Sequence, residues 1–166
     1  AGAMGIKMAQ PGRDVICFSG DGTYMMANSE MATAAMMGIS ITVVVTDNRG
    51  YGCINRLQMG TGGAEFNNLL DHSVHANPSA IDFAAHAASM GATSVKVSSI
   101  EDLEQALAKR GDVSGPYVVV IDTDPYPSTE HGGTWWDVAV PEVSQREKVS
   151  AARSAYVTNK TQQRAD

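Results

Sequence analysis

Short apolar runs alternate with helix-like segments along this chain. Residues 14–19 and 41–46 are rich in valine and isoleucine, and their apolar positions are continuous rather than alternating. This pattern is typical of strands that are buried on both faces of a parallel sheet. The segment between them, residues 28–37, is dense in alanine and methionine and is followed by Gly38, a residue type that commonly ends helices. Together the three segments predict a strand-helix-strand unit.

The same order repeats further along the chain. Residues 79–90 predict a helix that is capped by Asn77 and ends at Gly91, and residues 92–97 predict the next strand. Ser98 and Glu101 have the spacing of a capping box for a helix that ends at Gly111, and residues 117–121 predict a further strand. The expected fold is therefore α/β, a parallel sheet with helices on both faces.

The two ends of the chain add to this expectation. Residues 1–9 are helix-like but have no capping residue before them, so we expect a domain that is truncated at its N-terminus. Ser144 and Glu147 have capping-box spacing for a last helix, which leads into the polar tail 159–166. The expected organisation is a domain over residues 1–143, followed by a C-terminal helix and tail over residues 144–166.

Two segments lack clear periodicity and are predicted to be long loops. They cover residues 51–77, which are rich in glycine and asparagine, and residues 124–141, which contain several prolines and the pair Trp135 and Trp136. Adjacent tryptophans are unfavourable in water, so we expect this pair to pack at an interface.

Composition and charge narrow the class of partner. The chain has 166 residues, 43% of them hydrophobic, which is enough for one domain with a core. Its net charge of -6 argues against nucleic acid or an anionic membrane as a partner. Its two cysteines suggest neither a disulfide framework nor a zinc cluster, and no run of about eighteen apolar residues occurs. A cytoplasmic protein with a small-molecule partner is expected.

Candidate chemistry lies where the first two predicted strands end. Gly20, Asp21 and Gly22 follow one strand, and Asn48 and Gly50 follow the other. Because the carboxyl ends of parallel strands meet at the edge where open α/β sheets bind ligands, we expect the side chains of Asp21 and Asn48 to converge. Glycines at such a turn allow the backbone to approach a phosphate closely.

The charge pattern around this segment predicts a metal ion. No lysine, arginine or histidine occurs in residues 15–48, so no side chain there can neutralise a polyphosphate. A hard cation such as Mg²⁺ would do so, with oxygen ligands from the Asp21 carboxylate, the Asn48 amide and the Gly50 carbonyl. The sequence thus predicts a metal-diphosphate site.

The Gly20-Asp21-Gly22 segment together with Asp47-Asn48 resembles the signature of thiamine-diphosphate-dependent enzymes, over residues 1–122. Asp47 departs from the usual asparagine at that position, but it is not the metal-binding member of the pair. The resemblance implies that thiamine diphosphate and Mg²⁺ are the cofactors. It implies cofactor-binding residues at Gly20, Gly22, Thr23, Asn48, Tyr51 and Gly52, and metal ligands at Asp21, Asn48 and Gly50.

Two of these roles have alternatives. Thr23 contacts the diphosphate, caps the following helix or does both, and Tyr51 either offers its amide to phosphate or serves as a packing residue. In the family, a glutamate on the pyrimidine-binding domain of the same or a partner subunit activates the cofactor. The resemblance therefore implies a homo-oligomer and assigns no catalytic residue within this chain.

Two longer strings, residues 47–58 and 132–138, resemble a branch of the family that hydrolyses a cyclic diketone to 5-deoxyglucuronate in myo-inositol catabolism. The alternatives are an acetolactate-synthase-like domain or a 2-oxoacid decarboxylase of the malonic semialdehyde type. Decarboxylase-like relatives carry a glutamate where Ile54 stands, which weakens that interpretation. A cofactor-free α/β interaction module is a third hypothesis.

The histidines are the remaining candidates for chemistry. His72, His75 and His131 lie in the predicted loops and have the residue type for acid-base work, although surface histidines are the simpler interpretation. His86 lies in an apolar predicted helix, where a hydrogen-bonded core residue is expected.

Overall fold

The computed structural model describes residues 1–77, 79–128 and 137–163. Its helices and strands, in chain order, are α1 Gly2–Ala9, β1 Ile16–Gly20, α2 Asp21–Met26, α3 Glu30–Met36, β2 Thr42–Asp47, α4 Gly52–Gly60, α5 Phe83–Ser89, β3 Thr93–Val97, α6 Ile100–Ala108, β4 Tyr117–Asp122 and α7 Glu147–Lys160. Two short 3-10 turns lie at Leu70–His72 and Lys109–Asp112.

The chain forms two compact units. The first contains Ala1–Tyr51 and His75–Asp124, and the second contains Gly52–Val74 and Pro125–Asp166. All four strands lie in the first unit, whereas α4 and α7 lie in the second. The boundary expected after residue 143 stays a prediction.

The four strands form one parallel sheet in the order β1-β2-β4-β3. The central strands β2 and β4 carry the continuous apolar runs, and Val44, Val45 and the run 118–120 are fully buried. Strands that are covered on both faces have no polar side to present, which is why their sequence does not alternate. The expected parallel sheet is confirmed.

Helices cover both faces of the sheet, as predicted. On one face, Val43 and Val45 of β2 belong to a core cluster with Met31 of α3 and with Phe83 and Ala87 of α5. On the other face, the core cluster is built from Val44, Val119, Val97 and Ala106, the last of which lies on α6. Residues that are adjacent along β2 therefore serve two separate cores.

The predicted helix starts are displaced in three places. Asp82, not Asn77, caps α5, because its Oδ1 accepts a hydrogen bond from the Ala85 amide at 2.9 Å. Ser99, one residue later than predicted, caps α6 by accepting from the Asp102 amide. Helix α7 begins at Glu147 without a side-chain cap.

In two segments the observed secondary structure differs from the predicted one. The helix expected over residues 28–37 is preceded by a separate six-residue helix, α2, and begins at Glu30. Residues 51–77 were predicted to be a loop, but α4 occupies Gly52–Gly60. Its glycine at each end and its polar residues hide the helical pattern. Of the predicted loop 124–141, residues 129–136, with His131, Trp135 and Trp136, lie outside the described residues.

Two further observations concern membrane-spanning helices and the cysteines. In the described ranges, no helix has both the length and the apolar character that a membrane crossing requires. Both cysteines, Cys17 and Cys53, are free thiols.

Candidate functional site at the carboxyl edge of the sheet

The register of β1 and β2 brings the two predicted ligand segments together. Gly20, the last residue of β1, is paired with Thr46 of β2. The next residue of the first segment, Asp21, and the residues that follow Thr46 therefore leave the sheet side by side. The convergence that was expected from parallel strands is what the structure contains.

The Asp21 side chain lies at the centre of this edge. It is buried, with 5% of its surface exposed, and its carboxylate accepts hydrogen bonds from the turn that follows β2. The Asn48 amide donates to Oδ1 at 3.3 Å, and the Gly50 amide donates to Oδ2 at 2.8 Å. The carboxylate thus holds the turn that carries the other two predicted metal ligands.

The turn itself requires unusual backbone angles. Arg49 has φ 61° and Gly50 has φ 153°, both in the region that favours glycine. Asp47 supports this conformation, because its Oδ1 accepts from the Arg49 amide at 3.0 Å. Asp47, which stands where the family signature usually has asparagine, thus has a structural role and is not one of the predicted metal ligands.

Burial raises the pKa of the Asp21 carboxyl above its ordinary value, and the nearby negative charge of Asp47 raises it further. The amide donors of Asn48 and Gly50 act in the opposite direction. Burial has the largest effect, so a carboxylate at this position is electrostatically unfavourable unless a positive charge joins it. A bound cation would supply that charge.

The spacing of the polar groups at this edge suits such a cation. The end of the Asn48 side-chain amide lies 3.2 Å from Oδ1 of Asp21 and 3.0 Å from the carbonyl oxygen of Gly50. An amide nitrogen in that position donates to both acceptors, whereas an amide oxygen there is stable around a shared cation. Neighbouring oxygens of an octahedral Mg²⁺ shell with bonds of 2.0–2.1 Å are about 2.9 Å apart, close to these separations.

The donor set also limits the kind of metal. Among the described residues, no group of three or more Asp, Glu, His or Cys side chains is suited to a metal ion. The predicted ligands are one carboxylate, one amide and one backbone carbonyl. These are hard oxygen donors, which suit Mg²⁺ better than softer metals.

Gly22 and Tyr51 are in direct contact. A Cβ atom on Gly22 would lie 2.6 Å from Cε1 and 2.8 Å from Cδ1 of Tyr51, so the tyrosine ring occupies the space that a side chain would need. Tyr51 is 43% exposed as a residue, and its ring packs against Gly22 of α2, in line with the packing alternative for this residue. The turn after β2 is therefore fixed to α2 by a carboxylate on one side and by a ring on the other.

The other predicted positions differ from one another. Gly20 has φ -67°, which any residue adopts, and a Cβ there would meet no atom within 4 Å. Thr23 is exposed and lies in the first turn of α2, where Gly20 is the capping residue, so the capping alternative for Thr23 is wrong. Gly52 is buried and is the first residue of α4 in the second unit.

The described histidines also differ in their surroundings. His86 is half-buried on α5, and its Nδ1 lies 3.1 Å from the hydroxyl of Tyr24, as a hydrogen-bonded core residue should. His75 is exposed. His72 belongs to a polar cluster in the second unit, whose members lie far apart in sequence, which is why no local motif reveals them.

The sequence is similar to that of known proteins over most of the chain. Residues 1–121 match the family model of the C-terminal TPP-binding domain of thiamine pyrophosphate enzymes, where TPP is another name for thiamine diphosphate. A curated 3D-(3,5/4)-trihydroxycyclohexane-1,2-dione hydrolase from Bacillus thuringiensis (strain Al Hakam) is 40% identical over 175 residues, which cover 99% of this chain and 27% of the relative. The enzyme of the same name from Bacillus anthracis is 41% identical over 175 residues, covering 99% of this chain and 27% of the relative.

A solved structure supports the fold. The thiamine diphosphate-dependent 4-hydroxybenzoylformate decarboxylase of Rhodococcus jostii RHA1 aligns with a TM-score of 0.64 and 24% identity, over 74% of this chain and 22% of its own. The chain thus spans about a quarter of the length of the curated relatives it matches. Because the family model covers most of the chain, the protein belongs to the thiamine pyrophosphate enzyme family, in which it is a C-terminal TPP-binding domain.

Proposed function

We propose that this domain binds the diphosphate end of thiamine diphosphate through Mg²⁺, with oxygen ligands from Asp21, Asn48 and Gly50. The observation that carries the proposal is the buried, electrostatically unfavourable Asp21 carboxylate, beside which lie the end of the Asn48 side-chain amide and the Gly50 carbonyl oxygen. A cation there would satisfy the carboxylate and at the same time neutralise a diphosphate that has no cationic partner in residues 15–48.

The backbone around the metal ligands completes the proposed site. A Cβ atom on Gly20 would meet no atom within 4 Å, so this part of the edge is open, and the first amides of α2, including that of Thr23, have no partners within the helix. The Tyr51 ring holds the turn in place, and its amide remains a candidate donor to phosphate. A role for the Gly52 amide stays a prediction from the sequence.

The proposed chemistry of the whole protein follows from its relatives. Thiamine diphosphate supplies a carbon nucleophile and an electron sink for cleaving a bond next to a carbonyl group. The curated relatives are named hydrolases of 3D-(3,5/4)-trihydroxycyclohexane-1,2-dione, and the identity of about two residues in five extends over nearly the whole chain. We therefore propose that the full-length protein opens this cyclic diketone hydrolytically to 5-deoxyglucuronate.

Three further proposals accompany this one. The activating glutamate lies on a pyrimidine-binding domain of the same or a partner subunit, the active protein is a homo-oligomer, and it works in the cytoplasm. Each of these rests on the family membership.

Calorimetric titration of the full-length protein with thiamine diphosphate, with and without Mg²⁺, tests the metal site. Asp21→Ala and Asn48→Ala should each weaken the Mg²⁺-dependent affinity by at least about 100-fold, because each removes a ligand to the cation. Asp47→Asn is the matched control. Asparagine can also accept from the Arg49 amide, so this variant should keep its affinity within a few fold.

Unchanged affinity in Asp21→Ala would contradict the ligand assignment. The substrate proposal is tested separately, by giving the wild-type protein the cyclic dione and pyruvate side by side. Formation of 5-deoxyglucuronate from the dione is expected. Acetolactate or acetaldehyde from pyruvate as the main product would favour the other branches of the family.

A further inference from the structure

Helix α2 is anchored in the core by a single large side chain. The six residues of α2 are all described, and Tyr24 among them is 4% exposed, whereas Met25 and Met26 are 41% and 69% exposed. So short a helix is not stable on its own, and its position depends on tertiary contacts. Tyr24 is the residue through which α2 joins the core cluster on this face of the sheet.

Tyr24 contacts α5 with both its ring and its hydroxyl. The ring centroid lies 5.7 Å from that of Phe83, with the ring planes at 89°, which is an edge-to-face arrangement. The hydroxyl oxygen lies 3.1 Å from Nδ1 of His86, about one turn further along α5. Burial raises the pKa of the Tyr24 hydroxyl, so the hydroxyl stays protonated and can donate to the neutral imidazole.

Helix α5 is itself fixed to the sheet. Phe83 and Ala87 are buried in the same core cluster as Tyr24. The Ala84 carbonyl of α5 accepts a hydrogen bond from Oγ of Ser94 on β3 at 2.7 Å. The contact of Tyr24 with α5 therefore ties α2 to a part of the fold that lies outside the candidate site.

Asp21 lies one turn before Tyr24 on α2. Residues three apart in a helix lie on the same side of it, so a shift of α2 that moves the Tyr24 ring also moves the Asp21 carboxylate. That carboxylate accepts from the amides of Asn48 and Gly50 at 3.3 and 2.8 Å. The proposed metal ligand is thus held by the turn after β2 at its own position and by α5 one turn later.

The hydroxyl of Tyr24 adds direction to this anchor. Apolar packing is non-directional, and a phenylalanine at the same position would bury a similar ring. A hydrogen bond depends on distance and angle, so the contact with His86 specifies where the end of the ring lies. The rotation of α2 follows from that position.

We propose that Tyr24 and His86 are positioning residues of the proposed metal site, because their hydrogen bond fixes the orientation of α2 and, through it, the Asp21 carboxylate. The inference rests on the proposed function, since it concerns the affinity of that site. Both residues act through Asp21. Without their hydrogen bond, α2 adopts further orientations, and the apparent affinity falls with the fraction of molecules in which Asp21 is correctly placed.

Calorimetric titration of the full-length protein with thiamine diphosphate in excess Mg²⁺ tests the inference, at a temperature at which every variant is folded. Tyr24→Phe keeps the ring and removes only the hydroxyl. It should weaken the affinity by about 3- to 10-fold, which is the range that the loss of one hydrogen bond can produce. His86→Leu should have a similar effect. The double variant should bind about as well as either single variant, because all three lack the same contact.

A conservative change at His86 should restore the affinity. The amide of His86→Asn lies near the position of Nδ1 and pairs with a hydroxyl either as donor or as acceptor. This variant should bind within about twofold of the wild type when Tyr24 is present. In the Tyr24→Phe background it should restore nothing.

Tyr117→Phe is the matched control. Tyr117 is 6% exposed and belongs to the core cluster on the other face of the sheet, at the start of β4. The variant loses the same atom from a buried tyrosine, so its affinity should equal that of the wild type even where its unfolding temperature is lower. Thermal unfolding of each variant measures that structural effect separately.

Wild-type affinity in Tyr24→Phe would overturn the inference, as would an equal loss in Tyr117→Phe. Losses in Tyr24→Phe and His86→Leu that add fully in the double variant would also overturn it, and so would a loss in His86→Asn as large as that in His86→Leu. If the wild-type protein fails to bind thiamine diphosphate in the presence of Mg²⁺, it is the proposed function that fails.

Discussion

Asp21 has two opposing effects on the stability of the fold. Its carboxylate is buried to 5% exposure and accepts from two backbone amides, so it organises the turn after β2. Burial nevertheless raises its pKa, which means that its charged form is less favourable in the folded protein than in the unfolded chain. A residue that served stability alone would be neutral at this position.

This conflict gives a pH-dependent prediction for Asp21→Asn. The folded protein holds the Asp21 proton more tightly than the unfolded chain, whose pKa is near 3.8. The free energy of unfolding therefore falls as pH rises from about 3.8 through the raised folded pKa, and it stays lower above that value. Asparagine has no such titration. The stability of the variant relative to wild type should thus increase with pH across this window, as measured by urea unfolding.

The magnitude at a single pH is less informative, because asparagine also loses one acceptor for the turn amides. The slope with pH isolates the carboxylate. Adding Mg²⁺ and thiamine diphosphate should reverse the order by stabilising the wild type alone. A stability difference that does not change with pH would contradict the electrostatic argument.

Helix α2 and the turn after β2 hold each other in place. The Asp21 carboxylate binds the turn, and the Tyr51 ring covers Gly22 on α2, where a Cβ atom would lie 2.6 Å from the ring. Gly22 is thus required by a tyrosine of the same protein. This contact depends on the φ values of Arg49 and Gly50, which the sequence pattern does not reveal.

A double-mutant cycle tests the contact between α2 and the turn. In the wild-type background, Gly22→Ala should destabilise the protein by about 1–3 kcal/mol, because the added methyl group displaces the Tyr51 ring. In a Tyr51→Ala background the same change should be neutral or stabilising by about 0.5–1 kcal/mol, since alanine is the better helix former. Urea unfolding of the four proteins measures the sign change. Gly20→Ala is the control, and its effect should not depend on Tyr51.

The helices and strands differ in how far the sequence predicts them. The valine-rich strands were predictable because burial on both faces leaves a continuous apolar run, and their parallel order correctly placed Asp21 beside Asn48. Helix α4 was not, because its glycines and polar residues resemble a loop. The starts of α5 and α6 were misplaced for a related reason: several polar residues near each start could cap, and tertiary packing selects Asp82 and Ser99.

The polar cluster that contains His72 marks the limit of local sequence reasoning. His72 stands out as a candidate by residue type, but its partners Glu65, Asn55 and Tyr126 are 7 to 54 residues away, and no spacing rule connects them. Such clusters follow from the packing of whole segments. Asp21 and the turn after β2, by contrast, each directly follow one of two adjacent parallel strands, so their proximity could be predicted from the strands.

The distribution of binding groups over the whole protein yields a last prediction. The site described here offers oxygen ligands and backbone amides, which suit a metal and a diphosphate, while the net charge of the chain is -6 and residues 15–48 contain no cation. The 166-residue chain should therefore bind inorganic diphosphate and thiamine diphosphate with affinities within about tenfold of each other, because the diphosphate makes most of the contacts. With the metal removed by chelation, both should bind far more weakly, since the Asp21 carboxylate would then face the negative diphosphate with no cation between them. In the full-length protein, contacts to the rest of the cofactor should make thiamine diphosphate the tighter ligand by about 100-fold or more. Calorimetric titration of both proteins with both ligands measures the two ratios, and a strong preference for thiamine diphosphate in the 166-residue chain would show that this domain also recognises the thiamine part.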